Sequence, residues 1–174
     1  MAVRGRWAVI ATVVLSLTAP PAPAQAAPTP APHSAQELID DYLAAAPGGV
    51  QIGPNEISYD GGKFVVTLTR PRSSLAATAD CPSGWFCFYD GVNYTYPRGK
   101  LSDCGWQDLA WWGWHDRTES VHYNFSSGSV SYLNHRTQPD HSDDLFLFSV
   151  SSANKTDADV TPYRNMADHV YRNC

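Results

Sequence analysis

The chain of 174 residues carries 17 acidic against 12 basic side chains, a formal charge of −5 with histidines neutral. That balance weighs against nucleic acid as a partner, because neutralising a polyphosphate needs clustered Lys and Arg. The length suits one domain with a real core.

Arg4 and Arg6 precede an apolar run over residues 7–17, and small residues then lead to Ala24-Gln25-Ala26. This is the layout of a signal peptide, predicted over residues 1–26 with cleavage after Ala26. The apolar run is shorter than the roughly 20 residues that cross a bilayer, and no later segment approaches that length. The expectation is a secreted, extracellular protein with no membrane anchor. Residues 27–33, rich in Pro and Ala, read as a disordered leader.

From Ser34 the pattern changes. Ser34 with Glu37 forms a capping box, and Leu38, Tyr42 and Leu43 recur at helical spacing until Pro47-Gly48-Gly49. Residues 50–59 and 63–69 are rich in β-branched residues around Asp60-Gly61-Gly62, a hairpin signal. Residues 34–70 therefore read as a helix plus β-hairpin extension. After a polar link come short strands predicted over residues 85–89, 120–125, 129–134 and 145–150, which favour a mainly β sandwich. Residues 116–121 can be laid over 165–170, and 88–90 over 131–133, as expected for two copies of a four-stranded unit.

Four cysteines in an exported chain read as two disulfides, with three pairings open. The turn at Pro82-Ser83-Gly84 brings Cys81 towards Cys87, which leaves Cys104 to tie down Cys174.

Cys81-Pro82-Ser83-Gly84-Trp85-Phe86-Cys87 with Phe88-Tyr89-Asp90, then residues 114–121 and Asn124, resemble the Streptomyces metalloproteinase inhibitor-like family of secreted βγ-crystallin-like peptidase inhibitors. The resemblance covers residues 81–174. It implies a βγ-crystallin-like Greek-key sandwich and a role in restraining a secreted peptidase. Two departures stand out. Tyr94 is followed by Thr95 and Tyr96, with glycine only at Gly99, so the first hairpin should be rearranged. The calcium motif of that fold is degraded to His115, Asp116 and Glu119, leaving Asp116, Glu119 and Ser120 as a weak calcium candidate. No other cofactor is expected.

Nothing reads as an enzyme: GxSxG, HExxH and Gly-rich phosphate loops are absent from the sequence. The six histidines, His33, His115, His122, His135, His141 and His169, are scattered singly, and the adjacent His115 and Asp116 would point to opposite faces of a strand. Trp106 and Trp111-Trp112-Gly113-Trp114 form the most unusual local feature. Trp106 and Trp114 are expected in the core. At least one of Trp111 and Trp112 should be exposed, because an extended segment cannot turn three tryptophans inward. Trp111, Trp112, Tyr94 and Tyr96 are accordingly the candidate partner-binding residues. The leading expectation is a non-catalytic peptidase inhibitor; the alternative is a glycan-binding or structural module of the same fold.

Overall fold

The capping box at Ser34 forms as the sequence dictates. In the computed structural model, which describes residues 33–71, 78–138 and 140–174, the Ser34 hydroxyl accepts the Glu37 N–H, and the Glu37 carboxylate accepts the Ser34 N–H at 2.6 Å. The expected signal peptide and all but the end of the leader lie outside the described residues. Helix α1 (Ala35–Ala45) buries Ile39 and Tyr42.

Eleven strands follow among the described residues. They are β1 (Val50–Gln51), β2 (Glu56–Tyr59), β3 (Phe64–Thr67), β4 (Phe86–Gly91), β5 (Thr95–Leu101), β6 (Gly105–Asp108), β7 (Ser120–Tyr123), β8 (Ser129–Asn134), β9 (Leu145–Ser151), β10 (Thr156–Asp157) and β11 (His169–Asn173). They pair antiparallel in two sheets, a seven-stranded one ordered β1-β2-β3-β5-β4-β7-β10 and a four-stranded one ordered β6-β11-β8-β9. The expected strand over 50–59 is broken at Gly53-Pro54, where proline removes a ladder donor, and its two halves pair with each other.

The units β4–β7 and β8–β11 each give their third strand to the other's sheet: β6 pairs with β11, and β10 with β7. Matched hydrogen bonds join the two units and recur within each. Asp116 N–H donates to the Ala167 carbonyl and Asn165 N–H to that of Thr118, while Glu119 N–H reaches Tyr89 and Asp168 N–H reaches Leu133. Asp116 and Asn165 share a left-handed backbone, φ 54° and 55°. The overlay of 116–121 on 165–170 therefore has a geometric basis. The overlay of 88–90 on 131–133 is one residue out. Equivalent bonds match Tyr89 with Leu133, hence Phe88 with Tyr132, and these two rings meet across the core at 6.5 Å. A one-residue slip would have moved one of them to the wrong face.

The hairpin is more than an appendage. β3 pairs with β5, and Ile39, Ile57, Phe64 and Val66 share one core with Phe88, Trp114, Tyr132 and Val170. Residues 34–70 and 81–174 thus pack as one unit. Gly99 follows from that packing: a Cβ there would lie 2.3 Å from the Phe88 ring and 2.9 Å from Phe64. In the β4–β5 hairpin Asn93 and Tyr94 both stand at positive φ, with a bulge between Tyr89 and Gly91. Cys81 is bonded to Cys87 and Cys104 to Cys174, and no described cysteine is free. No helix among the described residues is long and apolar enough to cross a membrane.

Candidate functional site

Asp108 ends β6 and caps a single 3-10 turn, Leu109–Trp112, by accepting the Ala110 N–H at 2.8 Å. Gly113 closes the turn at φ 68°, where an added Cβ would stand 2.7 Å from Ala46 Cβ at the end of α1. The reversal sends neighbouring indoles in different directions. Trp112 is 2% exposed, stacks on Phe64 at 4.9 Å and donates its Nε1–H to Asp60 at 2.9 Å. Trp114 is fully buried. Trp111 is 62% exposed, its ring edge-on to Trp112 at 5.7 Å. Of the two candidates, Trp111 faces outward; Trp112 is core and cannot meet a partner. Trp106, expected in the core, is instead 43% exposed, because β6 turns it to the outer face of the four-stranded sheet.

The N-terminal segment braces this turn. Tyr42 of α1 donates its hydroxyl to the Trp112 carbonyl at 2.8 Å, and burial pushes its pKa far above the ordinary phenol value, which keeps it a donor. The Arg117 guanidinium lies over the Trp114 ring at 4.6 Å and the Tyr42 ring at 5.5 Å, and donates to the Gly113 carbonyl and to Asp90. The Trp111 turn is therefore held from the helix, the first hairpin and the sheet together.

Tyr94 is corrected as a partner contact, and Tyr96 is half-buried. Tyr94 is 9% exposed and packs edge-on to Tyr89. Tyr96 lies against Arg70 and Arg98, and donates its hydroxyl to Asp80 at 2.7 Å. Burial alone would raise the Asp80 pKa; hydrogen bonds from Tyr96 and Tyr89, with the charges of Arg98 and Arg70, outweigh it and hold the carboxylate below its ordinary value. Tyr94 is thus buried in the fold, and Tyr96, half-buried, has its hydroxyl engaged by Asp80. In the weak calcium set, the Ser120 hydroxyl is buried between the Gly91 carbonyl and the Tyr94 N–H, and Glu119 accepts from Asn165. Asp116 has its pKa raised, first by burial and then by Asp168.

Four of the histidines that look scattered in sequence converge. His169 and Asp108 sit opposite each other on the outer face of the four-stranded sheet, and His135, His141 and Asp144 come from the connection after β8. Asp143 shapes that connection by accepting from the Thr137 and Gln138 N–H groups. Asp168 holds the His135 N–H at 2.9 Å. The Asp144 side chain is fully buried, with His135 Nδ1 at 3.2 Å, His141 Nδ1 at 3.1 Å and His169 Nδ1 at 3.7 Å. One donor atom from each of His135, His141, Asp144 and His169 lies within 4.8 Å of all the others. His115 stands beside them, facing Asp108 at 3.2 Å and Asp168 at 3.4 Å. Burial lowers the His169 pKa, against the opposing pull of Asp108. Sequence spacing carried one clue, since His135, His141 and Asp144 fall within ten residues, but only strand pairing adds His169. No family model, curated protein or solved structure matches the chain.

Proposed function

We propose that this chain is a secreted, non-catalytic binding protein of the peptidase-inhibitor type, which presents Trp111 as the anchor for a peptidase surface. The carrying observation is a 62% exposed indole on a turn whose neighbours are locked by Tyr42, Asp60, Ala46 and Arg117. A loop already fixed in its bound shape loses little entropy on docking, and tryptophan is a preferred interface anchor. The exchanged third strands support reading residues 81–174 as a crystallin-like Greek-key pair, and the two disulfides suit an oxidising compartment. Inhibition assays of the mature protein against metallo- and serine peptidases, beside pulldown on insoluble cell wall, test the assignment. Inhibition of a peptidase without wall retention supports it; wall retention without inhibition of any peptidase refutes it. A second reading, glycan binding, is favoured by one observation: Trp106 and Tyr171, 43% and 39% exposed, lie side by side at 5.2 Å on the outer sheet face, a surface on which a sugar ring could stack.

A further inference from the structure

A buried carboxylate needs a positive partner, because transfer from water penalises the charged form. The Asp144 side chain is fully buried, and its neighbours within ion-pair reach among the described residues are three imidazoles. His135 and His141 each lie at hydrogen-bonding distance from a different oxygen of that carboxylate. His169 does not share this arrangement. It is 4% exposed, its Nδ1 makes no hydrogen bond, and the nearer Asp144 oxygen stands 3.7 Å away, beyond hydrogen-bond reach. A hydrogen-bonded His–Asp cluster therefore leaves one buried ring nitrogen, aimed at the carboxylate, without a partner.

We propose that His135, His141, His169 and Asp144 form a binding site for a borderline divalent metal ion of the Zn(II) class. The carboxylate-to-imidazole distances come close to that shell, with His135 facing Oδ1 and His141 and His169 facing Oδ2 of Asp144, and the four donor atoms lie within 4.8 Å of one another. Zinc bonds of about 2.0–2.2 Å in a tetrahedron place neighbouring donors roughly 3.3–3.6 Å apart, and the Asp144 oxygens stand 3.1, 3.2 and 3.7 Å from the three Nδ1 atoms. Three imidazoles and one carboxylate are a donor set for zinc or copper; calcium prefers an all-oxygen shell. The outer shell is present as well. His169 turns its Nε2 towards Asp108 at 3.6 Å, Asp168 fixes the backbone at His135, and the Trp106 indole stacks on His141 at 5.1 Å and 14°. Carboxylates and packed rings of this kind orient metal-bound imidazoles. The ion would join the connection after β8 to the start of β11, at the opposite end of that strand from the Cys104–Cys174 bridge.

The test titrates the disulfide-intact protein with Zn(II) by calorimetry, with Co(II) as a spectroscopic probe and Ca(II) as the control. The expected results are one Zn(II) per chain, intense visible bands of four-coordinate Co(II), no saturable Ca(II) binding, and quenching of Trp106 emission by Co(II). His135→Ala and His141→Ala remove rings that are about one-third exposed, so the fold should survive. Each should weaken Zn(II) more than about 100-fold, since outer-shell partners alone are worth 10–100-fold. Zn(II) should raise the melting temperature of the wild type and of neither variant. Absence of stoichiometric Zn(II) binding overturns the proposal. So do the weak bands of six-coordinate Co(II), or Zn(II) affinity unchanged in both variants.

Discussion

Trp111 and Trp112 are adjacent, chemically identical and placed in opposite environments, so replacing each by alanine separates surface from core within one turn. Trp112 is 2% exposed, stacked on Phe64 and bonded through Nε1 to Asp60. Trp112→Ala should cost about 3–5 kcal/mol, the range for truncating a buried aromatic ring. In a protein of this size that lowers the melting temperature by roughly 10 °C or more. Asp60→Asn isolates the polar part. It keeps an oxygen acceptor and tolerates the left-handed backbone at that position, φ 50°, so it should cost about 1 kcal/mol or less. Trp111→Ala removes a 62% exposed ring and should stay within about 0.5 kcal/mol of wild type. Chemical denaturation of the oxidised protein gives all three values, with unchanged slopes confirming that the denatured states match. Equal losses for Trp111→Ala and Trp112→Ala, or a loss below about 1 kcal/mol for Trp112→Ala, would refute the braced turn.

Cys174→Ser opens a bridge between residues 70 apart in sequence, and loop entropy alone predicts a loss of about 4 kcal/mol, against about 2 for opening Cys81–Cys87; denaturant midpoints of the two serine variants check the order. Gly113→Ala must adopt φ 68° and drive its methyl into Ala46, so it should cost at least about 1–2 kcal/mol, with added proteolytic sensitivity in α1; an unchanged midpoint would contradict the docking of α1 on the turn. Asp80 has its folded pKa held below the unfolded value of 3.8. Its stabilising contribution is therefore complete above that value and is lost as pH falls through the lower folded pKa. Asp80→Asn should lower stability at neutral pH and flatten the acid limb of a stability-against-pH curve between pH 4 and the folded pKa; a limb as steep as wild type would contradict this role.

Local chemistry made much of the architecture legible. The capping box at Ser34, the turn at Asp60-Gly61-Gly62, the strands around Tyr132 and Leu147, and the Cys81–Cys87 bridge follow from short-range signals, while Cys104–Cys174 was reached only as the pair left over. β5, β6, β10 and β11 were not predicted as strands: β5 holds Pro97 and Gly99, which argue against a strand until Phe88 and Phe64 are seen to need the space above Gly99, and β10 is two residues long. At the site the limit was long-range geometry. Alternation along an extended chain predicted at least one exposed indole near residue 111, but a 3-10 turn decided which, and the aromatic character of Tyr94 and Tyr96 says nothing about the packing on Tyr89 that buries Tyr94 or the Asp80 bond that engages Tyr96. The histidines read as isolated because His135 and His169 lie 34 positions apart in sequence, and strand pairing of β8 with β11 brings them together.

The most direct measurement of the proposed function is the inhibition constant of wild-type protein and of Trp111→Ala against the peptidase that the wild type inhibits best, with melting temperatures measured in parallel. An anchor tryptophan at the centre of an interface is worth about 2 kcal/mol or more, a loss of roughly 30-fold or greater in affinity. The expected result is that loss at unchanged melting temperature. Equal inhibition by both proteins, or inhibition of no peptidase by the wild type, would contradict it.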